Sequence, residues 1–158
     1  MIDTYLNSMR DSLVRKISIL DELSALSMQQ RDSISAEEVD WDEFDRLVDK
    51  KAALIDTLNA MDAGFDNVYK RIQKELAANK DMYKDVITQI KELINTVTEK
   101  SASLMALEQR NKNLIAGTFD STRKKISQTR VSSEAAAKYY TNMSKINYID
   151  PQLMDKKK

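Results

Sequence analysis

Residues that make tight turns are almost missing from this chain, and that scarcity constrains its fold more than any other feature. Among 158 residues there are two glycines, Gly64 and Gly117, and one proline, Pro151. Hairpins and loop-rich folds depend on residues that tolerate positive φ or arrive with φ pre-set. The first 150 residues therefore have little from which to build sheets. What they do have is apolar spacing of three and four. Ile2, Leu6, Met9, Leu13, Ile17 and Leu20 share one face of a 3.6-residue helix. Leu23, Leu26 and Met28 carry the stripe on, which predicts a helix over 3–31 that ends where Asp32-Ser33-Ile34-Ser35 breaks the period.

The second helix has a clear start. Asp40 can accept a backbone N–H at the exposed helix end, and Glu43, three residues on, can reach back to complete a capping box. Phe44, Leu47, Lys51, Leu54, Leu58, Met61, Phe65, Val68, Ile72 and Leu76 hold their phase across Gly64, so one helix is expected over 41–78. Asn79, suited to a left-handed turn, and Asp81, a candidate N-cap, then predict a short connection into an antiparallel partner. That third helix, expected over 82–117, carries Tyr83, Val86, Ile90, Leu93, Val97, Ser101, Leu104, Glu108, Asn111 and Ile115 on its seam. Ile87, Ile94 and Leu107 widen it.

The fold class is thus all-α: an antiparallel bundle of three long helices with coiled-coil-like packing. The shared core of the second and third helices is expected to be Leu54, Leu58, Met61, Phe65, Val86, Ile90, Leu93, Val97 and Leu104. Beyond Gly117 the helical spacing persists to about residue 145, but half its seam is Thr, Ser or Ala. The organisation expected is one bundle domain over 1–147, with 119–147 as a less apolar helical extension, and an extended or disordered basic tail over 148–158.

Composition removes most chemistry. The chain has no Cys and no His, so disulfides, thiolate nucleophiles and the commonest general base and metal ligand are absent. No catalytic residue, cofactor or metal is expected. The start, Met1-Ile2-Asp3-Thr4, lacks a signal-peptide pattern and no apolar run reaches membrane-spanning length, which makes the cytoplasm the expected location. Lys/Arg and Asp/Glu number 25 each, so no bulk field holds nucleic acid or a membrane surface. Their distribution is uneven: residues 119–158 carry nine basic groups against four acidic, leaving an acidic body and a basic tail.

The acidic stretch from Asp32 to Asp49 holds eight carboxylates against Arg46 alone. A carboxylate-bridged di-metal bundle needs histidines and a Ca²⁺ loop needs a central glycine, so a solvated segment favouring the start of the second helix is the better reading. Trp41 reads as a staple closing one bundle end, and Met9, Met61 and Met143 as core filling. Lys50-Lys51 and Arg123-Lys124-Lys125 lack interleaved aromatics and are not nucleic-acid sites.

Three stretches together resemble the bacterial flagellar type III export chaperones of the FlgN/FliT kind. They are Val39-Asp40-Trp41-Asp42-Glu43-Phe44 with Lys50 to Leu58, then Leu107-Glu108-Gln109-Arg110-Asn111-Lys112-Asn113-Leu114-Ile115, and the closing Asp150 to Lys158. The resemblance implies a helical protein that binds amphipathic C-terminal segments of axial flagellar subunits, either hook-filament junction proteins or the filament cap. It implies that the client is kept export-competent in the cytoplasm and delivered to a component of the export gate. Family members contact the client through their C-terminal helical region and the gate through an aromatic near the end, for which Tyr139, Tyr140 and Tyr148 are the candidates here.

The residues point to the same region independently. From Ile115 onward, Phe119, Ile126, Tyr139, Tyr140, Met143 and Ile146 are large side chains separated by Thr, Ser and Ala, a pattern of pockets suited to a partner helix. These seven are the candidate client-binding residues, in a protein expected to be a monomer or weak homodimer. The competing reading is a structural coiled-coil protein that completes its own seam by self-association; an enzyme is the weakest alternative.

Overall fold

The computed structural model describes residues 2–122 and 137–141. Three helices account for the first stretch: α1 (Ile2–Ile34), α2 (Trp41–Ala78) and α3 (Lys84–Thr122); residues 137–141 are also helical. No strand occurs among the described residues, and the all-α bundle stands. Ile126, Met143, Ile146, Tyr148 and the tail over 148–158 lie outside the described residues, as does the side chain of Phe119.

The helix ends show where local chemistry was read correctly and where it was not. Asp40 caps α2, its carboxylate accepting from the backbone N–H groups of Asp42 and Glu43 at 3.1 Å each. Glu43 does not reach back to complete the box. It pairs instead with Arg46, whose guanidinium donates to both carboxylate oxygens at 2.8 and 2.5 Å, a charge-assisted fork that a lone backbone N–H does not match. Val39, packed against the cluster that holds Phe44, supplies the staple across this cap.

α1 extends to Ile34, which is buried, because Asp32-Ser33 is solvated without interrupting the backbone ladder. Asn79 is not left-handed; its φ is −127°, and its side chain donates to the Glu75 carbonyl. Asp81 lies in the turn over 79–83 and does not cap α3, which starts at Lys84, with Tyr83 accepting from the Ile87 N–H. α2 passes through Gly64 and α3 through Gly117 without a break.

α1 is the organising element. Ile2, Leu6, Met9, Leu13, Lys16, Leu20, Leu23, Ser27, Gln30 and Ile34 are all buried at strict 4-3 spacing. Ile19 and Leu26 are buried beside that seam, broadening it enough to pack on two helices at once. Both α2 and α3 lie against α1, whereas no Cα of α2 comes within 8 Å of one in α3. Directly packed helices have axes 8–10 Å apart, so the α2–α3 hairpin is splayed and α1 fills the space between its arms.

This corrects the core expected for the hairpin. Leu58, Ile90, Val97 and Leu104 are buried, but Leu54, Met61, Phe65, Val86 and Leu93 are only partly so. On α2 the buried seam runs through Ile55 and Tyr69, one residue on from Leu54 and Val68. Turning the face toward α1 rather than toward α3 accounts for the shift. Met28, assigned to the α1 stripe, is 48% exposed. Polar links reinforce the packing: Lys16 of α1 pairs with Asp62 of α2, and Lys100 of α3 with Asp21 of α1 at 2.7 Å.

Candidate functional site

At the end of the bundle where α2 begins, five described residues beyond α3 pack back onto the three helices. Tyr139 is completely buried and joins Ile34, Trp41, Phe44, Val48 and Ile115 in a cluster separate from the main core. Its ring lies 6.2 Å from that of Phe44, which meets Trp41 edge-on at 5.6 Å. Trp41 is 8% exposed, consistent with a staple that closes this end of the bundle.

Below the aromatic cluster sits a layer of buried polar groups drawn from all three helices. Lys51 of α2 pairs with Glu108 of α3 and donates to Gln30 Oε1 of α1 at 2.8 Å. Ser27 of α1 donates its hydroxyl to Glu108 Oε1, and Asn111 of α3 donates to the Ser27 carbonyl at 2.7 Å. Tyr139 completes the layer by donating its hydroxyl to Glu108 Oε2 at 2.9 Å, while the Lys51 ammonium lies 5.5 Å from the centre of its ring. The side chains from the three helices occupy seam positions, so burial is imposed by helical phase, and they satisfy one another except at Gln30 Nε2 and Asn111 Oδ1, which are buried without a hydrogen-bond partner.

Burial pulls the Lys51 ammonium below the usual lysine range, with the charge of Glu108 opposing the shift. Burial pushes the Tyr139 phenol far above its ordinary value, and the adjacent Glu108 carboxylate adds to the effect. The geometry is that of a socket: an apolar rim for the tyrosine ring, an acceptor at its base for the hydroxyl, and a cation against its face.

Outside the socket, Tyr140 stacks edge-on against Tyr139 at 5.4 Å, is 36% exposed and has the Lys112 ammonium 5.8 Å from its ring centre. Leu114 is also exposed. Lys138 bridges to Asp45 at 3.1 Å and Asp49 at 2.5 Å, which holds its own pKa up. Two carboxylates in the first turns of α2 are therefore partly neutralised by Lys138.

Of the seven candidate residues, the structure brings Ile115 and Tyr139 into contact inside one cluster and leaves Tyr140 at its surface. Ile115 and Tyr139 face one another's neighbours rather than an open groove. The polar layer beneath them was not anticipated as a unit. The signal was present in the form of Lys51, Glu108 and Asn111 on otherwise apolar seams, opposite charges on two helices that must share an interior. Ser27 and Gln30 became visible only with the phase of α1 against both partners.

No helix among the described residues is long and apolar enough to cross a membrane. No curated protein and no solved structure matches the chain. The family described as FlgN protein matches residues 1–145, nearly the whole bundle including the socket and Tyr139. The chain belongs to the FlgN family of flagellar export chaperones.

Proposed function

We propose that this protein binds the amphipathic C-terminal segments of axial flagellar subunits in the cytoplasm, keeps them monomeric and export-competent, and hands them to a component of the export gate. The observation that carries the reading is a corner built from three helices and residues 137–141, matched over its whole extent by a chaperone family. A binding protein for helical segments needs a rigid platform beside a less apolar helix, and the socket around Tyr139 provides that platform.

The client face runs from Ile115 through Phe119, Ile126, Tyr139, Tyr140, Met143 and Ile146. Within it, Ile115 and Tyr139 position the segment from inside, and Tyr140, with Leu114 beside the socket, is exposed for contact. Binding is non-enzymatic and uses no cofactor or metal. The protein acts as a monomer or weak homodimer, with residues 1–147 as the binding unit and 148–158 as a basic tail.

Calorimetry with C-terminal segments of axial proteins tests this against the intact chain, the Tyr140→Ala variant and a chain ending at Gly117. Tight binding to the intact chain, at least about tenfold weaker for Tyr140→Ala and lost on truncation, is the expected pattern. Equal affinity for the intact and truncated chains overturns the placement. Binding to neither, with a tight concentration-independent dimer by light scattering, returns the function to a self-associating coiled coil.

A further inference from the structure

The splayed hairpin leaves a cleft that the chaperone reading does not use. It lies at the opposite end of the bundle, about 40 Å from the Tyr139 socket at ~1.5 Å per residue along α2. Its volume is about 640 Å³, and residues of α2, the turn and α3 line it, with none from α1. The floor is apolar, formed by Tyr69, Leu76 and Ile87. Lys74, Lys80, Lys84 and Lys91 stand around it, with Asp81 as the only acidic lining residue.

Several features mark this cleft as a docking surface. The body of the chain is acidic, yet Glu75, Asp85 and Glu92, close in sequence, do not line it. None of the four ammonium groups makes an ion pair among the described residues, in contrast to Lys16, Lys51, Lys100 and Lys138. Met82, in the turn beside the cleft, is 74% exposed, the highest value among the exposed large apolar residues. Tyr69, Gln73, Leu76 and Lys80 follow one another at helical spacing, as do Lys84, Ile87, Thr88 and Lys91 on the other wall. The helical walls run for about two turns, roughly 11 Å.

We propose that this cleft takes a short amphipathic helix of a partner protein, about two turns long, with apolar residues at i, i+3, i+4 and i+7 and Asp or Glu on its flanks. The apolar face lies between α2 and α3, where the hairpin is too open to close on itself, and the acidic flanks meet the four lysines. The closing Lys156-Lys157-Lys158 of the chain would be repelled by the four lysines. A second copy presenting its acidic 32–49 region would make a head-to-tail contact, and self-association in the test below would reveal it. The site is independent of the client face, so both can be filled at once.

Fluorescence anisotropy with the full chain tests this, using a labelled 16-residue peptide with Leu at the four helical positions and Glu elsewhere. Two control peptides carry Lys in place of Glu, or Glu with no Leu. Binding of the Leu/Glu peptide alone, weakened at least about tenfold by Lys84→Glu with Lys91→Glu and several-fold by high salt, is expected. Lys84→Glu also adds a carboxylate to the first turn of α3, where it suits the helix dipole, so the variant keeps its fold. No binding of the Leu/Glu peptide, equal binding of either control, or unchanged affinity in the double variant overturns the proposal. Self-association of the chain that disappears in the double variant overturns it in favour of a second copy. Loss of client binding in Tyr140→Ala, with peptide binding unchanged, separates this site from the client face.

Discussion

Lys51 and Glu108 form a buried ion pair between two helices whose backbones never come close. Lys51 is completely inaccessible and Glu108 is 7% exposed. The long lysine side chain crosses the space left by the splayed hairpin and reaches the carboxylate of α3 alongside Gln30 and Ser27 of α1. Desolvating two charges offsets most of their attraction, so such a pair contributes little net stability. It does select one arrangement, because any shift of α3 by a turn leaves both charges unpaired in the interior. The pair is in this sense a register device that also fixes the acceptor for Tyr139.

Breaking the pair from one side is therefore far more damaging than removing it. Lys51→Met is expected to cost about 3–5 kcal/mol, and Glu108→Leu a similar amount, since each strands a buried partner. The double variant should lose less than the sum of the two, because neither charge is stranded, though Ser27, Gln30 and Tyr139 still lose a partner; a double-mutant cycle measured by urea unfolding reads this coupling. Additive losses would mean that the two side chains do not act as a unit.

The Tyr139 phenol gives the socket a defined alkaline limit. Its folded pKa is raised, so below about pH 10, the ordinary phenol value, it is protonated in both states and its contribution is complete. Above that, the unfolded chain releases the proton while the buried phenol keeps it, and stability falls by up to about 1.4 kcal/mol per pH unit. Tyr139→Phe removes the titrating group at a cost of about 1–3 kcal/mol near neutral pH. The advantage of the native chain over Tyr139→Phe should thus shrink between about pH 10 and 11, as read from urea unfolding at each pH. An advantage that grows with pH would contradict the burial of this hydroxyl.

Core substitutions on α3 should rank by their distance from α1. Ile90 is 1% exposed and Ile90→Ala is expected to cost about 2–5 kcal/mol. Leu93 is only partly buried on the flank of the core, so Leu93→Ala should fall at or below the low end of that range. Thermal unfolding of the two variants in parallel decides it, and the reverse order would place α3 in a different rotation about its axis.

Gly64 lies within α2, and a Cβ there would meet nothing within 4 Å. Gly64→Ala removes backbone freedom from the unfolded chain without a clash, and should stabilise by about 0.5–1 kcal/mol. Gly117, equally open within α3, should behave the same way. A lower midpoint of thermal unfolding for Gly64→Ala would indicate a kink or contact that the uninterrupted helix does not show.

Much of the architecture is a local property, and local properties are legible in sequence. The period that placed α2 at 41–78 depends on neighbours three and four residues apart, and its start depends on Asp40 and the two N–H groups just after it. The staple of Val39 against Phe44 and the passage through both glycines follow from the same short-range rules. Tertiary structure alone decided which edge of each stripe is innermost, since Leu54 or Ile55 serves a helix equally well until α1 occupies one side. It also decided that α1, not the hairpin's own contact, holds α2 and α3 together, and that Lys51, Glu108, Ser27, Gln30, Asn111 and Tyr139 meet in one layer. Those pairings join residues up to 84 positions apart. Their energy depends on burial and on a partner's exact phase, neither of which is encoded in a window of a few turns.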